Sequence, residues 1–150
     1  MNGELRSVAA ALTFAAVVVG VSGCAGDGTG LDEFGNPLGG QTAPLGPTLA
    51  GIQDNIFNPI CTRCHTGAAG PLGLVLDEGV ARQNLVDVTS VERPELRRVE
   101  PGDPELSYIV WKIEGRPEIV GGQMPLGLTP LSAEQIAAIR GWIAAGAPAN

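Results

Sequence analysis

Between residues 48 and 148 the apolar positions recur at helical spacing in short stretches, separated by connections rich in Gly and Pro. Leu49, Ile52, Ile56 and Phe57 share one side of a predicted helix over 49–57. Thr48 stands at its N-cap, and Pro59 ends it just before Cys61. A shorter helix is predicted over 78–85, capped by Asp77. The third stretch has Asp103 as cap, Pro104 in its first turn, and Leu106, Ile109, Val110 and Ile113 at i, i+3, i+4 and i+7, with Gly115 as its stop. In the fourth, Ser132 and Gln135 spell a capping box, and Leu131 and Ile136 form a hydrophobic staple. Ile139 and Ile143 carry that stripe to a stop at Gly146 and Pro148. No segment alternates with period two. The expected class is all-α, about four helices with long connections.

Upstream the pattern changes. Val8 to Val21 is an uninterrupted run of small and apolar residues. It is shorter than the roughly 20 residues a membrane-spanning helix needs, and matches the h-region of a secretory signal. The run ends in Val21-Ser22-Gly23-Cys24, which resembles the lipobox of bacterial lipoproteins. That resemblance implies a lipoprotein-type signal peptide over 1–23, a lipid on the Cys24 sulfur, and a membrane-anchored protein facing the periplasm or the cell surface. Ordinary secretory cleavage nearby, leaving Cys24 as a free thiol, is the alternative. Residues 24–47 are Gly, Pro, Asp and Thr with isolated apolar residues, the composition of a flexible tether with a root-mean-square reach of roughly 25–30 Å. The folded domain is expected over 48–150.

Composition sharpens the picture. Nine Lys and Arg stand against 16 Asp and Glu, a formal charge of −7 and a pI near 4.5. Nucleic acid is therefore excluded as a partner, since phosphate neutralisation needs a basic face. With only three Phe, two Trp and one Tyr beside 22 Gly and 12 Pro, the domain has few large side chains to bury. Domains so poorly supplied are usually supported by disulfides, a metal or a cofactor. Three cysteines, two of them three positions apart, do not make a disulfide framework. His65 is the single histidine, which excludes multi-His metal sites.

Cys61-Thr62-Arg63-Cys64-His65 is C-x-x-C-H, the attachment signature of a c-type haem. Two thiols at this spacing can add to the two vinyl groups along one porphyrin edge, and the next residue offers an imidazole to the iron. Three other readings compete. A zinc site would need a fourth ligand beyond Cys61, Cys64 and His65. A thioredoxin-like pair would be expected beside a βαβ pattern, which is missing. A disulfide would be tight across so short a loop. One covalent haem c also accounts for the scarce aromatics, because a large planar cofactor can serve as the centre of the core.

The sixth iron ligand follows by elimination. No second histidine exists, and Lys112, the only lysine, falls inside a predicted helix. Met124 is the only methionine once the signal is removed. It lies in Gly121-Gly122-Gln123-Met124-Pro125-Leu126-Gly127, a loop whose glycines permit close approach to a flat ligand. Core filling is the competing role for an isolated Met. His65 and Met124 are thus the expected axial pair. Thioether ligation opposite imidazole raises the reduction potential and closes both axial positions.

Over residues 48 to 148 the chain resembles the class I mono-haem cytochrome c family. The resemblance rests on CxxCH after a first helix, Met124-Pro125-Leu126-Gly127, and the segment from Leu131 to Ala147. Pro101 to Gly115 is similar to a segment that precedes the methionine in cytochrome c-like domains of exported bacterial proteins. The resemblance implies a class I cytochrome c-like fold, its first and last helices crossing near a haem edge, with Gly51 and Ala138 or Gly141 small enough to allow the approach. It further implies that the His65 imidazole donates to the carbonyl of Pro71, within Gly70-Pro71-Leu72-Gly73-Leu74. Either Trp111 or Trp142 could bond a haem propionate, with core packing the expected role for both. In the long stretch from Leu74 to Val99, Arg82, Arg93, Arg97 and Arg98 are expected either to meet the haem propionates or to face solvent, most of them solvent.

The function expected is single-electron transfer between periplasmic or membrane redox partners, without catalysis. The acidic surface would steer the protein to partners bearing a basic patch. The competing class is a haem-containing enzyme accessory domain or a gas or ligand sensor, which requires an open distal position. Met124 discriminates between them.

Overall fold

Thr48 opens the first helix as its sequence position predicts. In the computed structural model, which describes residues 45–149, its Oγ1 accepts the Gly51 N–H at 3.1 Å. The predicted signal peptide, Cys24 and the tether as far as residue 44 lie outside the described residues. Helix α1 spans Leu49–Ile52 and passes directly into a wider π-helical turn over Gln53–Phe57, closed by Asn58 N–H donating to the Gln53 carbonyl at 2.8 Å. Ile52, Ile56 and Phe57 are fully buried. The buried Gln53 amide is satisfied by the Asn58 side chain and the Leu76 carbonyl. Packing begins ahead of the predicted boundary. Leu45 lies against the core, its N–H donating to Glu134, and a Cβ at Gly141 would sit 2.8 Å from the Pro47 side chain. Glycine at 141 is what lets the entering chain lie on the last helix.

Helix α2 covers Ala81–Leu85, shorter than the sequence suggests. Asp77 does not cap it. Its carboxylate reaches back instead to Thr66 Oγ1 at 2.7 Å and the Gly67 N–H at 2.8 Å, which hold its pKa below the usual carboxylate range. A backbone donor and a hydroxyl eleven residues upstream outcompete the local cap.

Helix α3 spans Tyr108–Glu114 and stops at Gly115 in the left-handed conformation, φ 69°. It starts four residues later than predicted, with Ser107 in place of Asp103 at the cap; the Asp103 carboxylate accepts the N–H groups of Glu105 and Leu106 in a separate turn. Leu106, placed on the apolar stripe by periodicity, is therefore exposed. Helix α4 spans Ala133–Ala144, and its capping box is complete in both directions between Ser132 and Gln135.

Helix α4 packs against both α1 and α3, burying Ala138, Ile139, Trp142 and Ile143 among Ile52, Ile56, Val110 and Ile113. Trp142 Nε1–H is satisfied by the Pro148 carbonyl at 2.8 Å. Trp111 is not in the core as expected. It lies half-buried between the guanidinium groups of Arg93 and Arg116, 5.7 and 5.3 Å from its ring. Beside it Glu105 and Glu114 are bridged by Arg116 and Arg140. Residues 86–107 form an irregular excursion that buries Leu96 and Val99 and is tied down by isolated β-bridges, such as Val86 with Val99 and Thr89 with Arg97. Among the described residues no extended strand forms; the fold is all-α. No helix among them is long and apolar enough to cross a membrane.

Candidate functional site

The π-helical turn delivers the chain through Asn58 and Pro59 to a 3₁₀ turn over Cys61–Arg63. Cys64 N–H and His65 N–H both donate to the Cys61 carbonyl, at 3.1 and 2.9 Å. This single turn brings both thiols and the imidazole to one wall of a cavity of about 310 Å³, the size of small-molecule and cofactor sites, which run from ~300 to 1,000 Å³. Both thiols are free. Burial pushes the Cys61 thiol up to about 11, so it is protonated at neutral pH, unlike a thiolate ready for redox exchange.

His65 is tilted to neutrality. Burial lowers its pKa, opposed by its hydrogen bond to Leu74 and assisted by the charges of Arg98 and Lys112. Nδ1 faces the Leu74 carbonyl at 3.3 Å. A carbonyl only accepts, so Nδ1 carries the proton and Nε2 keeps its lone pair. The predicted partner, Pro71, is displaced from this role: its carbonyl accepts the Leu74 N–H at 3.1 Å and closes the local turn, while its ring lines the cavity. A Cβ at Gly70 would lie 2.4 Å from the Leu74 oxygen, so only glycine permits this turn.

Met124 enters the same cavity from the connection between α3 and α4. Its N–H donates to the Lys112 carbonyl at 2.8 Å, and the adjacent Gln123 amide donates to the Ile113 carbonyl at 2.8 Å. The loop is thereby fastened to the end of α3. Cys61, Cys64, His65, Pro71 and Met124, singled out from sequence, all line one cavity. Cys24 lies outside the described residues.

Three further groups line it that the sequence does not single out as site residues. Arg98, one of the four arginines expected at the propionates or at solvent, is half-buried and donates to the carbonyls of Leu72, Gly73 and Asn84. No ion pair among the described residues involves it. Arg82, Arg93 and Arg97 do lie outside the site, engaged with Ala147, with Glu95 and Glu118, and with Asp87 and Glu100. Glu92 and Tyr108 complete the set; only the i,i+4 spacing of Tyr108 and Lys112 signals that those two share a helix face. Apolar side chains make up most of the lining, and Leu72, Val91 and Leu126 at its edge are 54, 59 and 68% exposed.

No protein-family model, no curated protein and no solved structure matches the chain. Two thiols and a neutral imidazole from one turn, a thioether from another segment, an apolar lining and one cation without a carboxylate partner fit a planar apolar ligand that carries iron and anionic substituents. Among the described residues no three His, Cys, Asp or Glu side chains converge on a metal-sized point, as a zinc site would require.

Proposed function

We propose that the protein is a c-type cytochrome that carries one covalent haem c and transfers single electrons. The observation that carries the reading is the convergence of Cys61, Cys64, His65 and Met124 on one mainly apolar cavity. When bound, the haem supplies a one-electron iron couple. Cys61 and Cys64 would hold it through thioether bonds, their thiols adding across its two vinyl groups. His65 offers Nε2 to the iron, oriented by the Leu74 carbonyl, which also makes the imidazole a stronger electron donor. Met124 would supply a thioether sulfur as a further iron ligand. Arg98, which lines the cavity and forms no ion pair among the described residues, would compensate a carboxylate substituent. The apolar lining would keep water from the bound group, and we take the all-α fold to be class I cytochrome c-like. We take Cys24 as the lipid attachment that holds the domain at a membrane facing the periplasm, and redox proteins with a basic patch as its partners.

Absorption spectra and mass analysis of the mature protein test the reading. Expected are a covalently retained haem, a reduced spectrum of the c type and, when oxidised, the far-red band of a sulfur–iron bond. A bare polypeptide with unmodified Cys61 and Cys64 overturns it. Covalent haem without the sulfur band favours the ligand-sensing alternative.

A further inference from the structure

Lys112 is joined to the Met124 segment at both ends. Its backbone carbonyl accepts the Met124 N–H at 2.8 Å, and its ammonium donates to the Val120 carbonyl at 2.7 Å. That ammonium also donates to Glu92 Oε2 at 3.0 Å. The same oxygen accepts the Tyr108 hydroxyl at 2.9 Å, and the phenol oxygen in turn accepts the Val120 N–H at 3.0 Å. Lys112, Glu92, Tyr108 and Val120 therefore close a ring of hydrogen bonds. The ring joins α3, the 86–107 excursion and the loop that carries Met124.

The ring is well shielded: the side chains of Lys112 and Glu92 are 11 and 21% exposed. Charges this protected interact more strongly than a surface pair, and removing one strands the other. Lys112, Glu92, Tyr108 and Met124 all line the cavity that holds Cys61, Cys64 and His65. Gly121 and Gly122 sit between the Val120 and Met124 attachments, so the backbone there has little stiffness of its own. A neutral thioether is a weak ligand, and its residence on a metal depends on how firmly its segment is held.

We propose that Glu92, Lys112 and Tyr108 are positioning residues that latch the 120–124 backbone and so hold the Met124 sulfur at the distal face of the ligand. The proposal rests on the haem reading above and assigns a role to three residues that electron transfer itself does not require. Partners of metal ligands commonly change metal affinity or activity by 10–100-fold when lost.

The test uses the full-length, haem-loaded protein with Glu92→Gln, Lys112→Met and Lys112→Arg, and Met124→Ala as the reference for an open distal face. Glu92→Gln keeps the side chain's size and an acceptor, so it addresses the charge even if Lys112→Met fails to fold. Expected in Glu92→Gln and Lys112→Met is unchanged covalent haem by mass, a weakened far-red sulfur band, and carbon monoxide binding at least about tenfold faster than in the parent. Lys112→Arg, which keeps charge and donors, restores most of the band. Parent-like bands and inertness to carbon monoxide in Glu92→Gln overturn the latch while leaving the haem reading intact. Absence of covalent haem from the parent overturns both.

Discussion

The Leu74 carbonyl lies 3.3 Å from His65 Nδ1, and the same oxygen is the atom that a side chain at Gly70 would strike. Imidazole orientation and the tight turn at 70–74 are therefore one structural fact. Arg98 braces that turn by donating to the carbonyls of Leu72 and Gly73, and Leu72 is held at φ 55°, a conformation that disfavours a residue with a Cβ.

Gly70→Ala should be costly. A Cβ placed 2.4 Å from a backbone oxygen forces the turn to move, and overpacking of this kind costs about 1–3 kcal/mol. Chemical denaturation should register that loss. The reduction potential of the loaded protein should rise as the imidazole loses its acceptor and becomes a poorer donor. A parent-like stability curve would show that the turn is looser than its geometry states.

His65→Ala and Met124→Ala should part company. Without the imidazole no stable haem-loaded protein should accumulate. Without the thioether, haem should remain attached, the potential should fall, and carbon monoxide should bind. Spectra and redox titration of the exported proteins check both; six-coordinate iron at an unchanged potential in Met124→Ala would assign the distal ligand elsewhere.

Acid should weaken the surface network around Trp111 selectively. The Arg140 guanidinium first, and Arg116 second, hold the Glu105 carboxyl below its ordinary value near 4.5. A depressed folded-state pKa contributes stability above the unfolded value, and that contribution is lost as pH falls through the folded one. Glu105→Gln should therefore be less stable than the parent at neutral pH. The gap should close progressively below about pH 4.5 and narrow at high salt, because the carboxylate is exposed. Thermal melts across pH read the difference directly.

Trp142→Ala should be the most damaging helix substitution. The side chain is fully buried at the meeting of α4 with the core, and its indole N–H satisfies the Pro148 carbonyl. Aromatic truncation in such a site costs about 3–5 kcal/mol. Trp111→Ala, between two guanidinium groups at the surface, should cost far less by the same denaturation assay.

Local interactions explain what was legible along the chain. The Thr48 cap, the Ser132–Gln135 capping box and the Gly115 stop each involve groups within a few residues, so residue type and spacing suffice to place them. The all-α class, and the grouping of two thiols with an imidazole in one turn, follow in the same way. Met124 is legible from the count of remaining side chains and from the Gly-rich loop around it, not from any contact it makes in the fold. Long-range competition decided the rest. Asp77 left its helix for Thr66 and Gly67, Leu74 supplied the carbonyl assigned to Pro71, and Arg98 turned inward to three backbone oxygens. The ring of Glu92, Lys112, Tyr108 and Val120 joins residues up to 28 positions apart, and the irregular excursion that carries Glu92 has no periodicity to announce it. Such polar groups take whichever partner the packed core brings within hydrogen-bond distance, and that distance exists only once the chain has closed on itself.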